Sequence, residues 1–176
     1  MPVGTLERDE EKVKRKFASP MDGEREVVRT ERPYRAATMS PMLTDADLQR
    51  VVDYLDHKFG LDVLWLYGSE AAGTARADSD VDLGSLFQRR PAGLEILEAR
   101  ADLSEILHRE VDLVDLDRAS PILGMQVLKH GQLVADRNPK HRHAFFSRTV
   151  SMYEDLKIQR REIEKALFER MSSARS

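Results

Sequence analysis

Three short β-rich runs crowd the middle of this 176-residue chain, and each of the last two begins beside aspartates. They are DVLWLY at 62–67, VDLGSLF at 81–87 and VDLVDL at 111–116. Runs of this length with such apolar content predict buried strands. The segments between and around them have helical spacing. Thr44 caps a helix through Phe59, with Asp47 at its third position and Gly60 as the stop. Its apolar positions are Leu48, Val51, Val52, Leu55 and Phe59. Residues 91–108 form a second helix with Pro91 at its first position and Leu94, Leu97, Ala101, Ile106 and Leu107 supplying its apolar face. Ser120, Pro121 and Gly131 bracket a third. LVA at 133–135 is a short edge strand. Residues 140–171 form a long polar helix with Phe145, Met152, Leu156, Ile163 and Leu167 as its buried positions. The order helix, strand, strand, helix, strand, helix, helix predicts an α/β (α+β) fold, a small mixed β-sheet backed by helices with a long C-terminal helix.

Residues 1–43 read as a tail that is poorly ordered, with prolines at 2, 20, 33 and 41 and few apolar residues to bury. Leu6, Val13 and Phe17 line a short helix within it. The body is then 44–135, and 136–176 is a C-terminal helical segment. Charge follows the same division. Residues 44–135 carry nine Lys/Arg against seventeen Asp/Glu, whereas residues 136–176 carry ten against six. An acidic middle disfavours phosphate backbones, so direct nucleic-acid binding is not expected. It suits divalent cations. The absence of cysteine rules out disulfides and thiolate metal sites. No apolar run approaches the span of a bilayer and the N-terminus has no apolar core, so the expectation is a soluble, cytoplasmic protein.

The chemistry is concentrated in LYGSEAAGTARADSDVDL, residues 66–83. Gly68 ends a strand and lets the backbone turn sharply and approach a phosphate. The amides beyond it and the Ser69 hydroxyl can donate to anionic oxygens. Ten residues later, Asp80 and Asp82 stand two apart on a strand, so their carboxylates share a face. Such a pair repels itself unless a cation intervenes, and hard oxygen ligands suit Mg²⁺ or Mn²⁺. A two-metal centre needs a further carboxylate. Asp112 and Asp115 are three apart and point to opposite faces, so only one can join. Asp112, early in its strand, is preferred and Asp115 is held in reserve. Ser69 lacks the elbow of a serine nucleophile. His141 and His143 lie in a KHRH run after Pro139 that reads as a solvated basic turn. Trp65 and Tyr67 read as strand core.

Gly68-Ser69-x₁₀-Asp80-x-Asp82, followed by VDLV about thirty residues on, resembles the DNA polymerase β-like nucleotidyltransferase superfamily, and within it the MNT-domain antitoxins paired with HEPN-domain toxins. The resemblance spans about residues 44–171. It implies the nucleotidyltransferase fold, ATP as substrate, and transfer of AMP to a tyrosine of a partner HEPN ribonuclease toxin. It implies phosphate contacts by Gly68 and Ser69, metal ligation by Asp80, Asp82 and Asp112, and a base role for Asp112, second in the VDLV run. Ala72 stands where many relatives have arginine, and Arg76 is the nearest substitute. Two other readings use the same residues: transfer to a small molecule of the aminoglycoside kind, and an antitoxin that acts by binding alone.

Overall fold

A computed structural model of the chain describes residues 43–76 and 78–173, with side chains up to residue 161. The expected tail and its short helix therefore lie outside the described residues. Helix α1 spans Asp45–Phe59. Its first turn is closed reciprocally: the Asp47 amide donates to the Thr44 hydroxyl at 3.1 Å, and the Thr44 amide donates to the Asp47 carboxylate at 2.9 Å. The chain then runs through β1 (Leu61–Tyr67), the five-residue α2 (Gly68–Ala72), β2 (Val81–Phe87), α3 (Gly93–Leu107), β3 (Val111–Asp115), α4 (Pro121–His130), β4 (Gln132–Asp136) and α5 (Pro139–Ser173).

The four strands lie in the order β3-β2-β1-β4. β1 is antiparallel to both β2 and β4, while β2 and β3 are parallel. A parallel pair needs a crossover, and α3 provides it. Helices cover both faces, which is why β1 is buried along nearly its whole length instead of alternating. On one face α1 and α3 pack Val51, Val52, Leu55, Phe59, Ala99, Leu103 and Leu107 against Leu64, Leu66, Leu83 and Leu113. On the other, α4 and α5 bring Met125, Leu128 and Phe145 onto Val63, Trp65, Leu86 and Leu116. Trp65 and Phe145 meet with ring centroids 5.7 Å apart. The α/β class, the mixed sheet, the edge strand at 133–135 and the long final helix are as the sequence predicts.

Several details differ. Helix α3 begins two residues after Pro91, with the Ala92 amide held by the Glu95 carboxylate at 2.7 Å. Its buried face is Ala99, Leu103 and Leu107, with Ile96 and Ile106 partly buried, while Leu94 and Leu97 are 68% and 58% exposed and Ala101 is exposed. A period of 3.6 places those three on the opposite side from the Ala99 row. In α5, Phe145 is buried, but Met152 and Leu156 are substantially exposed, because the helix outruns the sheet that covers its first turns. Ile163 and Leu167 fall outside the described side chains. His141 stands in the first turn of α5 and is partly buried, whereas His143 is exposed. The Nδ1 of His141 lies 2.7 Å from Asp62 and its Nε2 3.1 Å from Asp117.

Candidate active site

The strand directions gather the singled-out residues at one end of the sheet. β1 delivers Tyr67 and then Gly68 and Ser69 at its C-terminal end, where β2 and β3 begin. Tyr67 is the register partner of Asp82, and Asp82 is the register partner of Asp112. These three side chains form a row across adjacent strands spaced about 4.8 Å. Alternation puts the row on the α4/α5 face, since Val81 and Leu83 are packed into the α1/α3 core. Asp80 is exposed in the loop directly before β2, not on the strand itself.

Gly68 is fixed by two requirements. Its φ is +67°, where an L side chain is strained, and a Cβ there would come within 1.9 Å of Asp82 Oδ2. The glycine thus makes room for the carboxylate as well as turning the chain. It opens α2, whose C-terminal cap is Gly73. Ser69 is partly exposed at the head of that turn.

The acids repel one another. Burial first, then Asp112 and Asp80, push the Asp82 carboxyl above its ordinary range. Tyr67 feels the same field: burial first, then Asp112 and Asp82, raise its phenol to about 12. Asp112 finds compensation in Arg100 of α3, 2.6 Å away, whose Nε also donates to the Leu113 carbonyl at 3.0 Å. Among the described residues neither Asp80 nor Asp82 has a salt bridge, and no three acidic or histidine side chains are drawn together as a ready-made cation cage. The donor chemistry nevertheless fits Mg²⁺ or Mn²⁺. Hard carboxylates stand at one end of the sheet on two strands and a loop, and their mutual repulsion is what a cation would relieve.

Asp115 lies elsewhere. It pairs in register with Ser85, is buried, and sits toward the far end of β3 on the other face from Asp112. Burial, first, raises its carboxyl. Arg76 is exposed, and its backbone closes a small turn with Ser79: its amide donates to Ser79 Oγ at 2.8 Å, and the Ser79 amide donates to its carbonyl at 3.0 Å. Sequence reasoning did not single out Arg100, Arg109 or Glu70. Arg109 pairs with Glu70 inside the turn and also donates to the Ser79 carbonyl. Only Glu70, an acid within a Gly- and Ala-rich turn, gave any signal of this.

The sequence and the fold both have counterparts among known proteins. Residues 49–140 match the family described as polymerase beta, nucleotidyltransferase. The chain belongs to this nucleotidyltransferase family. Among curated nucleotidyltransferases it is similar to the protein adenylyltransferase MntA of Shewanella oneidensis, 32% identical over 103 residues that cover 58% of this chain and 73% of the relative. Among solved structures, a chain of a toxin–antitoxin complex with AMP-PNP superposes with a TM-score of 0.62 at 28% identity, covering 72% of this chain and 99% of that one. A chain of the complex between the tri-AMPylated Shewanella oneidensis HEPN toxin and its MNT antitoxin gives 0.58 at 25% identity, covering 70% and 97%. No described helix is long and apolar enough to cross a membrane.

Proposed function

We propose that this nucleotidyltransferase is an antitoxin that transfers AMP from ATP to a partner HEPN-type ribonuclease toxin and thereby silences it, in the cytoplasm. One observation carries the reading. Asp82 and Asp112 are register partners on one sheet face, beside a Gly68-Ser69 turn that a side chain at Gly68 would block. The relatives with the same fold supply the acceptor class: one is named a protein adenylyltransferase, and another is an MNT antitoxin in complex with an AMPylated HEPN toxin.

In this reading Gly68 and Ser69 receive the triphosphate, with the Ser69 hydroxyl donating to a phosphate oxygen. Asp80, Asp82 and Asp112 hold Mg²⁺ or Mn²⁺. When bound, the cations neutralise charge on the phosphate oxygens and favour ionisation of the acceptor hydroxyl. Asp112 accepts the acceptor's proton, the hydroxyl oxygen bonds to the α-phosphorus, and pyrophosphate leaves with the electrons of the bond that breaks. Arg100, 2.6 Å from Asp112, holds that carboxylate in place beside the acceptor. The half-buried floor at Tyr67 stays neutral and adds no further charge.

The test is transfer of label from α-phosphate-labelled ATP, with Mg²⁺, to a co-purified HEPN-type partner. Label on the partner supports the reading. Label on an aminoglycoside instead would replace the acceptor, and neutralisation of the toxin without any transfer would replace catalysis by binding.

A further inference from the structure

The three parts of the proposed site come from three separate places: the turn after β1, the loop before β2, and the start of β3. One side chain joins them. Arg109 stands in the turn between α3 and β3, three residues ahead of Asp112, and its side chain is only 10% exposed. One arm of its guanidinium pairs with Glu70, the residue after Ser69, whose side chain is 4% exposed. The other arm donates to the carbonyl of Ser79, the residue before Asp80. The backbone continues the link, since the Val81 amide donates to the Glu110 carbonyl at 2.8 Å.

A buried ion pair is a poor device for stability alone, because desolvation offsets most of the attraction. Its strength is geometric. The planar guanidinium fork holds two partners at a fixed separation, which a lysine's point charge cannot do. Here the two partners are neighbours of the proposed phosphate contact and of the proposed metal ligand. Helix α2 has no fully buried residue of its own, so its position depends on such ties.

We propose that Arg109, with Glu70, is a positioning residue for nucleotidyl transfer: it sets the spacing between the Gly68-Ser69 turn and the carboxylates at Asp80 and Asp82, and so the affinity for a metal-bound nucleoside triphosphate. It touches neither substrate nor metal. This rests on the site assigned under Proposed function.

The experiment uses the full chain and measures binding of AMP-PNP by calorimetry, with Mn²⁺ and with EDTA, beside thermal unfolding. Arg109→Lys keeps the charge beside Glu70 but not the fork. It is expected to weaken AMP-PNP binding in Mn²⁺ by about tenfold, an effect of losing bidentate geometry and alignment. KM for ATP rises in step, and binding in EDTA is unchanged. Glu70→Gln, which keeps the shape and an acceptor, is expected to weaken binding about threefold by loss of the charge pairing, and it decides the matter if Arg109→Lys does not fold. Folded variants that bind AMP-PNP with wild-type affinity in Mn²⁺, whatever their melting temperature, overturn the proposal and leave the site assignment standing. Failure of the wild-type chain to bind AMP-PNP with Mn²⁺ overturns both.

Discussion

Both ends of the sheet are acidic, and they manage their acids in opposite ways. At the far end from the candidate site, each carboxylate meets a cation or donor built into the chain. Asp62, 3% exposed, takes His141 at 2.7 Å and the Asn138 amide at 3.2 Å. Asp117 takes the other His141 nitrogen and Arg148, Asp136 takes Arg142 at 2.7 Å, and Asp56 takes Arg137. All five donors come from α5 or the residues leading into it, so this end fastens the last helix to the body. At the site end Asp112 has Arg100 and Glu70 has Arg109, but Asp80 and Asp82 have no salt bridge among the described residues. The comparison separates acids whose counter-charge is permanent from acids whose counter-charge must arrive. The first kind ties the last helix to the body; the second stores repulsion that, in the proposed reading, a bound cation would relieve.

The largest effect that can break this contrast is on transfer itself. Asp82→Asn should lower AMP transfer by at least about 10³-fold, since it removes a ligand from an electrostatic centre worth several kcal/mol. The fold should survive, because the charge removed is one its neighbours oppose. A variant that retains a tenth of the activity would place the metals elsewhere.

Next in size is the choice between the two acids of β3. Asp112→Asn should cost about 10²–10⁴ in rate, the range for a lost base, while Asp115→Asn keeps most of the activity. Asp115 is on the other face, and burial already favours its neutral form. Equal losses in two folded proteins would contradict the strand alternation on which the assignment rests.

At the opposite end the effect should appear in stability instead. His141→Ala leaves Asp62 buried with only Asn138 to compensate it, and a buried acceptor that loses its donor costs about 1–3 kcal/mol. A fall in denaturation midpoint with kcat/KM unchanged at low temperature is expected. A selective loss of kcat would mean that the far end communicates with the site.

The smallest effect is a pH dependence of the apo protein. Because burial and like charges raise Asp82, its ionisation opposes folding. Its contribution to stability is fully present below the unfolded carboxylate value and is lost as pH rises through the folded one. Asp82→Asn should therefore raise the apo melting temperature near neutral pH by about 1–2 °C, the shift that a few tenths of a kcal/mol gives at this size. Divalent cation should stabilise the wild type and not the variant.

What the sequence made legible was local. Thr44 with Asp47, Ser120 with Pro121, and the alternation that sends Asp112 and Asp115 to opposite faces are all written within a few residues of one another. The row Tyr67, Asp82, Asp112 followed once three strands were placed side by side. The partners of charge were not legible. His141 meets Asp62 from 79 positions away and Arg109 meets Glu70 from 39, and no spacing rule connects such pairs. The α3 face was misplaced because its leucines at 94 and 97 outweigh in hydrophobicity the small Ala99 that is buried. A helix packed close to a sheet can prefer the smaller residue at the contact.

The central claim is that the acids at the site end exist to hold cations for AMP transfer. Intact mass spectrometry of a HEPN-type partner, incubated with ATP, Mg²⁺ and either the wild-type chain or Asp82→Asn, tests it directly. The account predicts whole AMP increments on the partner with the wild type and none with the variant, although both chains bind that partner. No increment with the wild type, or the same increments with Asp82→Asn, would contradict it.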